Sequence, residues 1–594
     1  MANTLRRKYS LLKWISGLII FTVILAGTLS FYISFKSRPI VNRELKSLVL
    51  KATDSLYRIE FSDVETNIIT GNASLSQVQI IPNTVILKKL IGLKRAPNNI
   101  YTIRLRKLMI QGFNPFTLFF RNKLNIDELL FDKPQITMVN KQLDFNEDKP
   151  PRPARSPYLY IAPYLKQLHV QSIIFRDISF DYVNNNTPKP EVDRIDNLNI
   201  TLTDWLIDPT SANDRSRMYL LKDISLSLND YTYSTPDSLY HVKVNQMDFH
   251  ALTGKLSVKQ FSIVPRHNEM DFGKAAGFEK DRYNISMNNI SLTGINFPLY
   301  VLKQELFAKE MNISNGFIAV FNNNTFRKST ATKPRKDPHQ LLQSLKGIVT
   351  LKKLNIDGIN ISYASYDNKS AQRGVISFEH TSGTLNNVTN SPKFKQKDSL
   401  LVADVNTYMM GQGQLKLNFQ FNLLSKRGAF SYRGVLENMN GRSLNRITKP
   451  LGMLQIRSGY INKLSFNIKA DQSLATGKVD FDYQGLNVGL FKKVEGKDNL
   501  VRQGWASFLA NQLVIKPDNP DRKGKFFTAT VNYEREPSAT FFNFVWQTLF
   551  QGIKYSVGFT EAKKEEIANK IAQFEKIRSD REKRRLAREK RRLN

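Results

Sequence analysis

Six histidines, at positions 169, 241, 250, 267, 339 and 380, are the residues best suited to proton transfer or metal ligation, and none lies in an HExxH pairing. Their spacing assigns them to strands or surface. Glycine clusters that could cradle a phosphate are equally incomplete. GQGQLK at Gly411 lacks a third glycine and a following helix, and TGKLS at 253 and TGKVD at 476 lack the upstream glycine of a phosphate loop. No GxSxG nucleophile elbow occurs. The chain has no Cys, which removes disulfides, thiolate metal sites and cysteine nucleophiles together. The expectation is a protein that is not an enzyme and needs no cofactor or metal.

The elements that would position any such residue are strands. Leu415, Leu417, Phe419, Phe421 and Leu423 alternate with Lys416, Asn418, Gln420 and Asn422, and Leu464, Phe466, Ile468 and Ala470 repeat the pattern. Alternation of this kind gives a strand with one apolar and one polar face. Asn, Asp, Gly and Pro cluster between such runs at turn positions, as in 184–190 and 322–324. The body reads as mostly antiparallel sheet.

Before it, residues 14–35 run WISGLIIFTVILAGTLSFYISF with no charge. At ~1.5 Å per residue this spans a ~30 Å hydrocarbon core. Arg6, Arg7, Lys8 and Lys13 precede it, so the positive-inside rule puts 1–13 in the cytoplasm and the body on the far side, with Trp14 and Tyr32 near the two interfaces. A cleaved signal peptide is the competing reading, and bulky Phe31, Tyr32 and Phe35 argue against its small-residue cleavage site.

The net charge of +35 is not confined to the ends. Four basic residues precede the apolar run, and 561–594 holds 13 basic against 7 acidic residues, leaving +25 on the rest. Anionic partners are favoured, whether lipid headgroups, lipopolysaccharide phosphates or nucleic acid. Arg584, Arg585 and Arg591 in the tail could meet phosphates of either kind, and the anchor's orientation turns the choice from nucleic acid to anionic lipid.

An internal repeat organises the body. Segment 103–139 aligns with 285–321 without a gap at an offset of 182, placing Leu108 on Ile290, Ile110 on Leu292, Gly112 on Gly294, Asn114 on Asn296 and Leu124 on Leu306. The match continues through basic Pro-containing loops to LKQLHVQSI at 165 and LKKLNIDGI at 351. The chain divides on this reading into 36–190 and 285–400 as repeats, 191–284 between them, a strand series over 401–535, an amphipathic helix over 536–560 and a basic helical tail. Phe542, Trp546, Leu549 and Ile553 mark that helix, whose polar interruptions argue against a span.

The anchor, the paired strands ending IDELLFDKPQITMV, and the series around Leu451 to Leu490 leading into FFNFVWQTLFQGIK resemble AsmA-like proteins of the diderm bacterial envelope. The resemblance implies a repeating β-groove, an elongated, curled antiparallel sheet with an apolar trough and C-terminal helices, held at the inner membrane and carrying phospholipid towards the outer membrane. It supplies no catalytic residues, and the basic tail has no counterpart in it. Leu105, Leu108, Ile110, Met287, Ile290, Leu292, Leu415, Leu417, Phe419, Phe421, Leu464 and Phe466 are the candidates to line the groove. Trp14, Tyr32, Trp546, Arg584, Arg585 and Arg591 are the candidates for membrane contact. A non-transporting envelope scaffold with closed β-sandwich cores is the alternative.

Overall fold

A computed structural model describes residues 46–559 except 48, 52, 68–69, 147–157, 164, 212–213, 215, 328–335, 493–500, 503–514 and 538. The expected anchor with Trp14 and Tyr32, and the tail with Arg584, Arg585 and Arg591, lie outside the described residues. Among the described residues no helix is long and apolar enough to cross a membrane. The fold is mainly β. The chain forms two compact units, one from 1–233, 242–260 and 291–304, the other from 234–241, 261–290 and 305–594.

Unit 1 contains β1 (Tyr57–Glu60), β2 (Asp63–Asn67), β3 (Asn72–Pro82), β4 (Asn99–Gln111), β5 (Lys123–Asp132), β6 (Gln135–Asn140), β7 (Gln167–Asn184), β8 (Glu191–Ile207) and β9 (Asp223–Leu228). Helix α1 (Thr84–Gly92) joins β3 to β4, α2 (Pro115–Arg121) joins β4 to β5, and α3 (Phe297–Lys303) follows later in the chain. Strands β1 and β2 both pair antiparallel with β3, which pairs with β4. Strand β4 then pairs with both β5 and β6. Strand β7 runs parallel to β5 and β6, which corrects the expectation of an antiparallel sheet. The physical reason is the connection 141–166: a chain that leaves one end of a strand and re-enters beside its start must cross over, and only a long link allows this.

Strands β10 (Tyr231–Ser234), β11 (Tyr240–His250), β12 (Lys255–Pro265) and β13 (Arg282–Thr293) have residues in both units. Unit 2 holds β14 (Glu305–Asn323), β15 (Ile348–Asp367), β16 (Gln372–Thr389), β17 (Leu400–Met409), β18 (Gly413–Asn422), β19 (Phe430–Asn440), β20 (Leu454–Ala470), β21 (Leu474–Lys492), β22 (Val501–Arg502) and β23 (Thr528–Glu534). With them go α4 (Pro338–Gln343), α5 (Asn445–Gly452) and α6 (Phe541–Ser556). Strands β14 and β15 are parallel, again across a long connection, and each later strand through β21 is antiparallel to the one before it. Strand β23 closes the series against β21.

The offset of 182 recurs in the geometry. It carries α2 onto α3 end for end. The Asn114 side chain accepts a hydrogen bond from the Thr117 amide at 3.1 Å, and Asn296 accepts one from Leu299 at 2.9 Å, so both helices start on an asparagine cap. Both end in a left-handed residue, Asn122 at φ 54° and Gln304 at φ 58°. The entry turns also match: the Phe113 amide donates to Gly71 O and the Ile295 amide to Gly254 O, each at 2.9 Å. A Cβ on Gly71 would lie 2.0 Å from Phe113 O and one on Gly254 2.5 Å from Ile295 O, so both turns need glycine.

Inside the strands a line of left-handed residues bends the sheet. Lys133 (φ 50°) and Asp177 (φ 54°) face each other where the β5–β7 register stops at Asp132 and Arg176 and the β6–β7 register starts at Gln135 and Ser179. Asn315 (φ 63°) and Gly358 (φ 64°) occupy the same place between β14 and β15. Asn197 on β8 and His380 on β16 extend the line, beside register shifts at Phe175–Phe180 and Ile356–Ile361. A bulge bends its strand and raises the local twist, so within each unit the aligned bulges crease the sheet. The crease also resets which residues face inward. On β7 the buried positions Leu168, Val170, Ile173, Phe175 and Ile178 step by two, three, two and three, so strict alternation holds only within each segment.

Unit 1 carries a closed core. Leu124, Ile126, Leu129 and Phe131 of β5 pack in one cluster with Leu168, Val170, Ile173 and Phe175 of β7, and the Phe131 and Phe175 rings stack at 4.4 Å. Leu87 and Leu90 of α1 and Tyr158 pack against this cluster. Unit 2 has its own core beneath α6, where Phe544 joins Phe430, Tyr432, Ile468 and Val479. A small cluster of Leu239, Tyr240 and Phe272 lies apart from it.

Candidate functional site: an apolar sheet face in unit 2

Directly opposed residues on neighbouring strands share a face. One row of such partners runs through nine strands of unit 2: Met311, Leu354, Leu385, Ala403, Phe419, Tyr432, Ile468, Gly477 and Val531. A second row, Ile318, Ile361, Phe378 and Met409, lies across the crease. No charged residue occurs in either row.

Burial along this face is graded. Tyr432, Ile468 and Val531 are fully covered, and burial pushes the Tyr432 hydroxyl well above the usual phenol range. Helix α6 supplies the cover there: the Phe541 ring lies 6.0 Å from Phe419, 5.9 Å from Phe421 and 5.4 Å from Phe430. Towards β14 the cover thins. Met311, Ile313, Ile318, Val320, Leu354, Ile356, Ile361 and Leu385 are all half-buried.

The repeat provides an internal control for this difference. Leu124 on β5 is 0% exposed, and its counterpart Leu306 on β14 is 37% exposed. Leu129 and Phe131 are buried in the core of unit 1, whereas their counterparts Met311 and Ile313 are half-buried. The same apolar stripe is therefore sealed in one copy and, apart from Ala308, partly uncovered in the other.

The groove candidates divide accordingly. Leu105, Leu108 and Ile110 are buried in the core of unit 1. Ile290 is buried, and Met287 and Leu292 are half-buried, on β13. Leu415, Phe421, Leu464 and Phe466 are buried in the core under α6, with Leu417 and Phe419 packed against it. Trp546 is partly exposed on α6 itself. The open stripe of β14 to β16 was not singled out by alternation, because its inward positions change parity at each bulge. Two dipeptides could have flagged this, Asn315-Gly316 and Asp357-Gly358, turn-type pairs in the middle of long apolar strands.

The titratable groups pair across the sheet and within the core. His169, without a carboxylate neighbour in the chain, meets one across the sheet: its Nε2 lies 2.7 Å from Asp204 Oδ1. Asp204 Oδ2 also receives Lys222 at 2.7 Å and Arg217 at 3.1 Å. Burial alone would raise the Asp204 carboxyl, but these three donors outweigh it and hold it at about 2. His339 is not at the surface; it is buried against Phe421, and burial lowers its basicity. Asp337 and Arg535 form an ion pair at 2.9 Å with both side chains completely buried, and Arg535 also lies 5.0 Å over the Phe544 ring. Burial pushes the Asp337 carboxyl up, against the pull of Arg535. An open concavity of about 430 Å³ between β14 and β16 is lined by Phe317, Asn360, Ser377, Glu379 and His380, and there the Ser377 hydroxyl donates to Glu379 at 3.1 Å. Among the described residues no three His, Cys, Asp or Glu side chains gather as metal ligands.

The chain matches no family model and no curated protein.

Proposed function

We propose that the open apolar face of β14 to β16 holds lipid acyl chains, and that the protein handles phospholipid in a bacterial envelope from an inner-membrane anchor, with its body in the periplasm. The observation that carries this reading is the contrast between copies: the stripe buried as a core in unit 1 is only partly covered in unit 2 over Met311, Ile313, Leu354 and Ile356. Exposed apolar surface of this continuity marks a binding surface. The aligned bulges support a trough, since they fold two arms of each strand towards one another. The basic balance of the chain favours anionic headgroups. No step of this activity requires a nucleophile, an acid–base pair or a cofactor. The elongated groove reaching towards the outer membrane is the form in which this activity becomes transport.

The tightly filled core of unit 1 favours a second reading, a non-transporting envelope scaffold or outer-membrane assembly factor built on closed cores. Photo-crosslinking in cells separates the two. A probe amino acid at Ile356, in the open stripe, is compared with one at Leu129, in the sealed copy. Lipid adducts at Ile356 and none at Leu129 are the expected result. Adducts at neither position, with the protein folded and membrane-associated, would leave the scaffold reading.

A further inference from the structure

Helix α6 has two unlike faces. Phe544, Thr548, Gly552 and Ser556 are buried at four-residue intervals against the sheet. A Cβ on Gly552 would stand 2.5 Å from Val479 Cγ2 and 3.0 Å from Val531 Cγ2, so the helix backbone lies close upon β21 and β23. Away from that stripe, also four residues apart, run Phe542, Trp546, Phe550 and Lys554. Phe542 is 66% exposed, and Trp546 and Phe550 are partly exposed with their rings stacked at 5.9 Å. The Lys554 ammonium lies 5.3 Å from the centroid of the Phe550 ring.

A helix whose outer face meets only water ordinarily fills it with charged residues. Here that face carries Asn543 and Gln547 beside the rings, and Phe541–Ser556 contains no Asp or Glu. Its single charge, Lys554, is positive, and the chain continues into 561–594 with 13 basic against 7 acidic residues. Aromatic rings with amide neighbours and a flanking lysine match the chemistry of a bilayer interface, where rings sit at headgroup depth and cations meet lipid phosphates. We infer that the outer face of α6 docks on the surface of an anionic lipid bilayer, with Phe542, Trp546 and Phe550 at headgroup depth and Lys554 among the phosphates. This surface is opposite the helix face that closes the trough, and its role stands independently of acyl binding.

The cysteine-free sequence gives a clean test. An environment-sensitive fluorophore is attached to the full-length protein through F542C, with K426C, in an exposed turn of unit 2, as the control. Each is presented to phosphatidylcholine vesicles with and without phosphatidylglycerol. Expected is a blue shift at position 542, quenched by lipid-borne nitroxides, in the anionic vesicles alone, with position 426 unchanged in both. K554Q should weaken docking about fivefold, the contribution of one lysine near an anionic surface. A label at 542 that stays in water with either vesicle would overturn the inference. So would a blue shift that grows with protein concentration without vesicles, which would assign the face to a second copy of the chain. Acyl adducts at Ile356 are read separately, so failure of either reading leaves the other standing.

Discussion

Truncating the same position in the two repeat copies should give unequal losses of stability. Phe131 is 2% exposed and stacks on Phe175 at 4.4 Å, so Phe131→Ala removes a fully packed ring and leaves a cavity. Substitutions of this kind cost about 3–5 kcal/mol. Its counterpart Ile313 is half-buried. Complete burial would put Ile313→Ala at about 2–5 kcal/mol, and a side chain already partly in water should sit at the low end of that range, about 2 kcal/mol or less. Urea unfolding of the full-length, delipidated protein, followed by hydrogen exchange in peptides from β5 and β14, measures each unit separately and avoids assigning one free energy to two units. Bound lipid should then stabilise wild-type β14 and have less effect on Ile313→Ala, because a ligand stabilises only the state it binds. Equal destabilisation by both truncations in lipid-free protein would show Ile313 packed as tightly as Phe131 and would refute the open stripe.

Other perturbations test the supports of that face. Gly552→Val should destabilise unit 2 by about 1–3 kcal/mol, since its Cβ meets Val479 Cγ2 at 2.5 Å, and should raise hydrogen exchange in β21 and β23; unchanged exchange would mean that α6 does not press on those strands. Arg535→Met should cost about 3–5 kcal/mol by leaving Asp337 buried without a partner. The raised Asp337 pKa gives that penalty a sign with pH: protonation relieves it, so the variant should recover stability as pH falls and lose it as pH rises through the folded pKa. Asp204 works in the opposite sense. Its carboxyl is held at about 2, so its contribution is present above the unfolded value of 3.8 and is lost as pH falls from there towards 2. After solvent screening this amounts to about 1 kcal/mol, and Asp204→Asn should flatten unit 1's acid unfolding in that window.

The repeat was legible because its markers are backbone requirements: Gly112, Asn114, Gly294 and Asn296 stand where a left-handed turn and a helix cap need them. Strand content was legible from alternation, which holds over 415–423. Parallel pairing was not, because β5 and β14 read locally like any apolar strand, and direction is set by where a long connection re-enters the sheet. The open stripe was hidden for a related reason. Bulges at Lys133 and Asn315 shift the inward parity, and nothing in the apolar pattern of Leu124 or Leu306 distinguishes a residue that will be covered from one that will not. His169 and Asp204 lie 35 positions apart in the chain and meet only through the β7–β8 register.

The Asp337–Arg535 pair also orders events during synthesis. Its partners are separated by 198 positions in the chain, and both are completely buried. At ~5–20 residues per second, the carboxylate emerges about 10–40 s before the guanidinium that neutralises it. Until then Asp337, at the start of α4, lacks the partner for its charge, and an unpaired charge resists leaving water. Arrival of Arg535 brings β23 to its end and is followed at once by α6, so one ion pair couples the seating of α4 to completion of the last strand.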